Sequence, residues 1–290
     1  MNVPAVVLAK AWRKPGTTTN HAPQLLRDAL SSVMPGLDPG IHVFLASGKT
    51  WMAGTRPAMT ENLALAANLQ RTLEVASVTL LADLSGALFW EEESLLVVSD
   101  LHLEKGSSFA TRGVLLPPYD TAATLGQLGA VISRHDPRKV IALGDSFHDR
   151  NAHERLSATD RDAIGSLQAR RDWIWISGNH DPAIPSDLGG VVSSEVAIGP
   201  IVFRHEPTGA AGEIAGHLHP KARVSARGRS MERRCFACDG ERAVMPAFGA
   251  YAGGLSIRDQ AFAKIFPTTG FIAHLLGDRR VHSIAAARCY

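Results

Sequence analysis

The sequence predicts an α/β fold, and three observations support that reading. Continuous apolar runs stand at Leu95–Ser99, Val140–Leu143 and Trp173–Ser177, the pattern of strands buried on both faces. Between them, Asp120–Arg134 and Thr159–Arg170 have helical spacing, and strand–helix alternation belongs to a sheet covered by helices. The 290 residues are 45% hydrophobic and 20% charged, enough to build a core and unlike a disordered, collagen-like or disulfide-scaffold chain. No apolar run approaches the roughly 18 residues of a membrane helix.

Taken in order, residues 1–58 differ from the rest. Six prolines, among them Pro35, Pro39 and Pro57, alternate with glycines, and such a stretch cannot bury enough apolar surface to offset the entropy of ordering it. The phrase from Val33 to Val43, with Lys49–Thr60, resembles translated short repeats found between bacterial genes. Residues 1–58 are therefore expected to be a disordered extension, with Met59 as the true start, and residues 59–290 the globular domain. The apolar stretch Val3–Ala9 has no basic residue before it and is not expected to be a signal peptide.

Glu61–Thr72 reads as a short helix. Val78–Ala82 and Ala87–Trp90 read as paired strands around the turn Asp83–Gly86. In Asp120–Arg134, Leu125, Leu128 and Ile132 share a face, Asp120 is a candidate cap, and Pro137 ends the region. Ile164 and Leu167 give Thr159–Arg170 its apolar face. After Ile201 the pattern is mostly β. Three cysteines, an odd number, fit a reducing compartment, and a cytoplasmic protein is expected. The net charge of +2 hides an uneven distribution. Residues 1–60 hold six Lys/Arg and two Asp/Glu, so the remainder is slightly acidic. Global charge is thus no argument for nucleic-acid binding.

Each buried strand runs into a polar cluster. The first ends in Asp100-Leu-His102, the second in Gly144-Asp145, the third in Gly178-Asn-His-Asp181; Ile201–Arg204 ends in His205, and Glu213–Ala215 in Gly216-His-Leu-His219. Ligands of open α/β sheets sit at the carboxyl ends of the strands, so five arrivals of Asp, Asn and His make a metal-site pattern. Asp100 and His102, one residue apart on an extended chain, can chelate one ion. Asp145 follows a glycine and can bridge two. Asn179 offers a neutral oxygen, and His205, His217 and His219 offer imidazole nitrogens. No Cys takes part, so the donors suit Mn²⁺, Fe or Zn²⁺ in a mixed N/O site, and two close ions can clamp a phosphate.

The order D-x-H, G-D, G-N-H-D, H, G-H-x-H resembles the calcineurin-like metallophosphoesterase superfamily, over about residues 78–290. The resemblance implies two central mixed β-sheets flanked by helices. It implies that Asp100, His102 and His219 hold one divalent ion, that Asn179, His205 and His217 hold the other, and that Asp145 bridges them. His180 would act on the scissile phosphate or its leaving oxygen, and Asp181 would orient His180. Finer phrases are similar to the ligase-associated DNA damage response endonucleases: Ser99–Gly106, Leu143–His148, His205–Pro207, Gly216–Pro220 and Pro246–Gly254. This implies a manganese-dependent phosphodiesterase acting on DNA, with a DNA ligase and a helicase as functional associates.

Taken singly, each of these side chains reads equally as a polar loop residue or a core histidine; their order along the chain is what argues otherwise. Asp181 also reads as a loop cap. His148 and Arg112 read as substrate contacts or as solvated loop residues, and His153 as a loop histidine. Cys235-Phe-Ala-Cys238 is half a zinc ribbon without its partner pair, and reads as two free cysteines, one of them packed in the core. Lys221–Arg234 contains six cations against Glu232 and, beginning beside His219, is expected to meet a polyanion backbone through residues such as Arg227 and Arg229, with single-stranded DNA the preferred form. The competing functions are a phosphatase or nucleotide-pyrophosphate hydrolase of the same fold, and a metal-dead scaffold that only binds partners.

Overall fold

The computed structural model describes residues 71–117, 119–226, 228–266 and 270–290, together with the two-residue strand β1 (Val6–Val7). The rest of the expected extension over residues 1–58 lies outside the described residues, as does most of the expected helix Glu61–Thr72. The last two residues of that helix instead open strand β2 (Arg71–Val75). Here Leu73 and Val75 are buried while Thr72 and Glu74 are exposed, a period of two that only a strand satisfies.

A seven-stranded sheet runs in chain order through β2, β3 (Val78–Ala82), β4 (Leu88–Trp90), β5 (Leu95–Val98), β6 (Lys139–Leu143), β7 (Asp172–Ile176) and β8 (Val191–Ser193). Its first three pairings are antiparallel and its last three parallel. The turn between β3 and β4 closes as expected, with Gly86 N donating to Asp83 O at 3.0 Å. The second sheet is also mixed. It holds β9 (Glu195–Ile198), β10 (Ile201–Arg204), β11 (Glu213–Ala215), β12 (Pro220–Ala226), β13 (Arg229–Cys238), β14 (Ala243–Val244), β15 (Leu255–Ser256), β16 (Ile272–Leu276) and β17 (Val281–Ala285), with β1 against β9.

Residue alternation explains the layers. Leu95 and Val97 of β5, Ile141 and Leu143 of β6, and Ile174 and Ile176 of β7 face Phe203, Ile214, Phe236 and Met245 of the other sheet. Leu96, Val98, Val140, Ala142, Trp173 and Trp175 face outward, against Leu125, Leu128 and Ile132 of α2 (Asp120–His135). Burial on both faces is the reason these strands are apolar throughout. Ile164 of α4 (Ala158–Gln168) joins that layer, after the short helices α1 (Lys105–Ala110) and α3 (Ala152–Arg155). On the far side α5 (Gln260–Ile265) packs Phe262 and Ile265 on Cys235, Ala237 and Leu275. The result is the expected pair of mixed sheets between helices.

Two local readings are corrected. Asp120 is the first residue of α2 and not its cap. Its carboxylate instead accepts from Gly106 N at 3.0 Å, tying α2 to the start of α1. Helix α4 begins one residue earlier than expected because Ser157 caps it, accepting from Asp160 N at 3.1 Å. Asp83, buried in the β3–β4 turn, is held by Arg134 and by His135 at 3.2 Å. Burial alone would raise its pKa, but these bonds and those from Ser85 keep the carboxyl well below the usual range.

Among the described residues, all three hydrophobic layers are built from Leu73 onward. A chain beginning at Met59 is therefore expected to melt within about 4 °C of the full chain, the shift that ~1 kcal/mol produces in a domain of this size. A larger fall in a thermal melt would show that β1 and the segment around it support the second sheet.

Candidate metal centre

Because β5, β6 and β7 are parallel, their carboxyl ends share one edge of the sheet, and β10 and β11 deliver His205 and Gly216 to the same place. The chain does not leave that edge loosely. Past the strand ends, His102 N donates to Asp145 O and Leu103 N to Ser146 O, each at 2.9 Å, so the polar segments continue the ladder. The backbone turns sharply to aim the side chains inward. Asp100, His102, Asp145, His217 and His219 all stand at left-handed φ, between 44° and 69°. That conformation costs a non-glycine residue on the order of 1 kcal/mol or more, and it concentrates at functional sites.

These residues form two groups. In the first, His219 Nε2 lies 3.1 Å from Asp100 Oδ1 and 3.3 Å from His102 Nε2. In the second, His205 Nε2 lies 3.4 Å from Asp145 Oδ2, 3.2 Å from His217 Nδ1 and 2.9 Å from Asn179 Oδ1. Asn179 Oδ1 is also 3.0 Å from His217 Nδ1. Within each Asp/His group the potential ligand atoms all lie within 4.8 Å of one another. The groups adjoin, with His205 Nδ1 3.8 Å from Asp100 Oδ1. The structure thus places all seven residues expected as ligands at one edge, with Asp145 grouped with His205 and His217.

The surroundings fit a cation. Asp100 and Asp145 are 0% and 3% exposed, and buried carboxylates need compensation. His205 Nδ1 faces the carbonyl of Leu143 at 3.0 Å. That nitrogen carries a proton whether or not the ring is charged, so Nε2 is the atom turned to the centre, and a bound cation would take the place of its proton. His102 keeps Nδ1 buried without a hydrogen-bond partner. Burial holds His102 down to about 3, and it lowers His217 as well, so both stay neutral, as ligation requires. Burial would lower His205 too, but Asp145 and Asp100 draw a proton onto it and raise it to about 9. Burial opposes the ionisation of Asp145, yet His205 pulls it down to about 2. Two glycines make the packing feasible. A Cβ on Gly178 would sit 2.2 Å from both N and Oδ1 of Asp145, and one on Gly216 would sit 2.0 Å from Ser99 Oγ and 2.6 Å from Asp100 Oδ2.

His180 is exposed beside this centre. Its backbone N–H donates to Asp145 Oδ1 at 2.9 Å, and its ring Nδ1 faces His148 O at 2.9 Å. The carbonyl makes Nδ1 the protonated nitrogen, leaving Nε2 free, 3.9 Å from Asp145 Oδ2. Asp181 does not orient it, which corrects the expected role. The Asp181 carboxyl is buried and accepts from Gly178 N and Phe147 N, each at 3.0 Å, so it ties two ligand loops together. Burial pushes it up to about 7 against the pull of the Phe147 amide. The ring of His148 stacks on His180 at 5.5 Å and on Phe109 at 5.8 Å. Burial lowers His148 to about 4, and the charges of Lys105, His180 and Arg112 add to the effect. Exposed Arg112 therefore lies within electrostatic reach of the centre. A cleft of about 300 Å³ opens beside Asn179 and His205, lined also by Ser177, Glu195, Arg204 and Glu206.

Much of the basic stretch is paired within the fold. It folds as the antiparallel pair β12–β13. Arg234 donates to Ala247 O at 2.6 Å, Lys221 and Arg223 pair with Glu232, and Arg233 pairs with Asp278 at 3.3 Å. Arg229 is exposed, and Arg227 lies outside the described residues. His153 stands half-buried on α3, its carbonyl accepting from Arg161. Cys235 and Cys238 are buried free thiols on opposite faces of β13, which rules out their sharing one ion. Lys105 and Tyr251 were not singled out from the sequence, although both stand in motif phrases; Lys105 Nζ donates to Tyr251 O at 3.0 Å.

A family model described as calcineurin-like phosphoesterase matches residues 94–235. Nuclease MPE from Pseudomonas putida is similar in structure, with a TM-score of 0.57 and 27% identity, over 74% of this chain and 100% of that one. YfcE, a phosphoesterase from E. coli, matches over 66% of this chain and 98% of its own, at 12% identity and a TM-score of 0.33. A search of curated proteins finds no match. The fold of the matched family implies divalent metals, and no helix among the described residues is long and apolar enough to cross a membrane.

The close approach at Gly216 generates a test. Gly216→Ala is expected to push Ser99 and Asp100 away from the centre and weaken Mn²⁺ binding about 10–100-fold, as loss of the shell behind a ligand does, with the circular dichroism spectrum unchanged. Calorimetric titration showing wild-type affinity would mean that Asp100 does not hold an ion in this position.

Proposed function

With a calcineurin-like phosphoesterase domain over residues 94–235, the chain is of a family of phosphoester hydrolases, and we propose that it is a dinuclear-metal phosphodiesterase that cuts DNA as a repair endonuclease. The observation behind this reading is the pair of adjoining donor groups, Asp100/His102/His219 and Asp145/His205/His217. In this reading the first group holds one ion, and Asn179, His205 and His217 hold the second. Asp145, in the second group, would serve both. When bound, the ions supply Lewis-acid polarisation of the phosphoryl group and of the attacking water. A donor set of carboxylate, amide oxygen and imidazole, without thiolate, suits manganese.

The chain's own groups do the rest. His180 Nε2, left without a hydrogen-bond partner while Nδ1 faces His148 O, would meet the leaving oxygen and, in the imidazolium form, donate a proton to it. Asp181 keeps the loops of Asp145 and His180 in register. Arg112 and His148 meet phosphate groups beside the scissile bond, and Arg227 and Arg229 neutralise phosphates farther along the strand. DNA as substrate is supported by the similarity to nuclease MPE of Pseudomonas putida, and a single strand bends into a recessed centre more readily than a duplex does. The resemblance to the ligase-associated group extends the proposal to functional association with a DNA ligase and a helicase. Three unpaired buried thiols suit the cytoplasm.

Treatment with EDTA is expected to abolish hydrolysis of a chromogenic phosphodiester, with Mn²⁺ restoring it best. His180→Ala should keep its metal content and lose about 10²–10⁴-fold in turnover, the usual cost of a proton donor. Asp145→Ala should lose metal from both groups. Metal analysis that finds His180→Ala empty, or full activity in EDTA, would contradict the assignment. Rapid hydrolysis of small esters with no cleavage of any DNA would favour a nucleotide hydrolase of the same fold.

A further inference from the structure

Beside the centre, the fold leaves an apolar surface exposed. Val114, Leu115, Tyr119 and Tyr251 are 48%, 86%, 70% and 36% exposed, and they stand on two loops rooted in the candidate ligands. One loop leaves α1, which begins three residues after His102. Val114 N folds it back by donating to Phe109 O at 3.0 Å, and the Phe109 ring stacks on His148, which lies edge-on to His102 at 5.6 Å. The other loop is held where Gly249 N donates to Asp100 O at 3.2 Å, two residues before Tyr251. The loops are also tied to each other, since Tyr251 Oη donates to Pro117 O at 3.2 Å and Lys105 Nζ donates to Tyr251 O. This is a built rim.

Exposed apolar side chains clustered beside a polar site mark a ligand surface, and their chemistry selects the ligand. Aromatic and aliphatic faces lie next to the cations Lys105 and Arg112, whose charges reach His148. Flat apolar faces alternating with positive charge are what a single polynucleotide strand requires, bases on the faces and phosphates on the cations. Bases in a duplex are already stacked and offer no free face. Four side chains are too few for a stable protein interface, which takes roughly 20–30 residues a side, but they match one or two bases.

We propose that Tyr119 and Leu115, with Tyr251 on the adjoining loop, stack one or two unpaired nucleobases next to the scissile phosphate. The proposal rests on the phosphodiesterase reading above and adds the residues that determine specificity.

The test compares the Mn²⁺-loaded wild type, Tyr119→Ala, Tyr119→Phe and Leu115→Ser on four substrates. These are a single-stranded oligonucleotide, the same strand with abasic sites, its duplex, and bis(p-nitrophenyl) phosphate. Tyr119→Ala and Leu115→Ser should each raise KM for the single strand by about fivefold or more, the low end for one lost base stack. Tyr119→Phe should restore it. The gap between wild type and Tyr119→Ala should vanish on the abasic strand, and hydrolysis of the small diester should be unaffected. Equal cleavage of the single strand by wild type, Tyr119→Ala and Leu115→Ser would overturn the proposal and assign the rim to a protein partner or a second copy of the chain. A parallel loss on the small diester would also overturn it, since the loop would then be supporting the centre. A wild type that hydrolyses the small diester but cuts no oligonucleotide would overturn the polynucleotide reading itself.

Discussion

Asp100 and Asp145 are two almost fully buried carboxylates at adjoining strand ends, and the local architecture is organised around their charge. Leaving such groups unpaired in a protein interior is costly. Imidazoles of His219 and His205 sit at 3.1 and 3.4 Å from them, and His217 N turns in to donate to Asp100 Oδ2 at 3.1 Å. Five of the converging residues accept left-handed backbone to reach the centre, and Gly178 and Gly216 leave room for them. The proton drawn onto His205 is a measure of the same demand for positive charge, and a divalent cation satisfies it with fewer contacts and more charge.

Much of this was legible in the sequence because the strands that deliver the donors are buried on both faces. That burial made Leu95–Val98 and Lys139–Leu143 stand out as apolar runs, and the polar residues after them could be read off in order. The helix misread at Thr72 failed for the opposite reason: β2 is half-exposed, and the alternation of Thr72, Leu73, Glu74 and Val75 was lost beside an apparently helical neighbour. Asp120 was misread because its partner, Gly106 N, lies 14 residues back in the chain and no local pattern points to it.

The basic stretch shows the limit of counting charges. Arg233 finds Asp278 45 residues on, and Arg234 finds the carbonyl of Ala247, partners that exist only once β13 has joined its neighbours. Asp181 followed the same course. Its place after His180 suggested an orienting carboxylate, but the fold offered it the amides of Phe147 and Gly178, and burial favours backbone donors that need no further desolvation. The exposed rim was illegible for the converse reason. Tyr119 and Leu115 look like core residues in a sequence, and only the structure leaves them in solvent.

In the proposed reading, metal and rim would divide the work: the strand ends would supply a charged centre with no sequence preference, and the flanking loops would decide what reaches it. The division depends on there being two ions at this edge. Anomalous diffraction at the manganese absorption edge, from crystals of the full chain soaked in Mn²⁺, tests it most directly. The account predicts two peaks, one among Asp100, His102 and His219 and the other among Asn179, His205 and His217, each also next to Asp145. A single peak, or peaks away from these side chains, would contradict it.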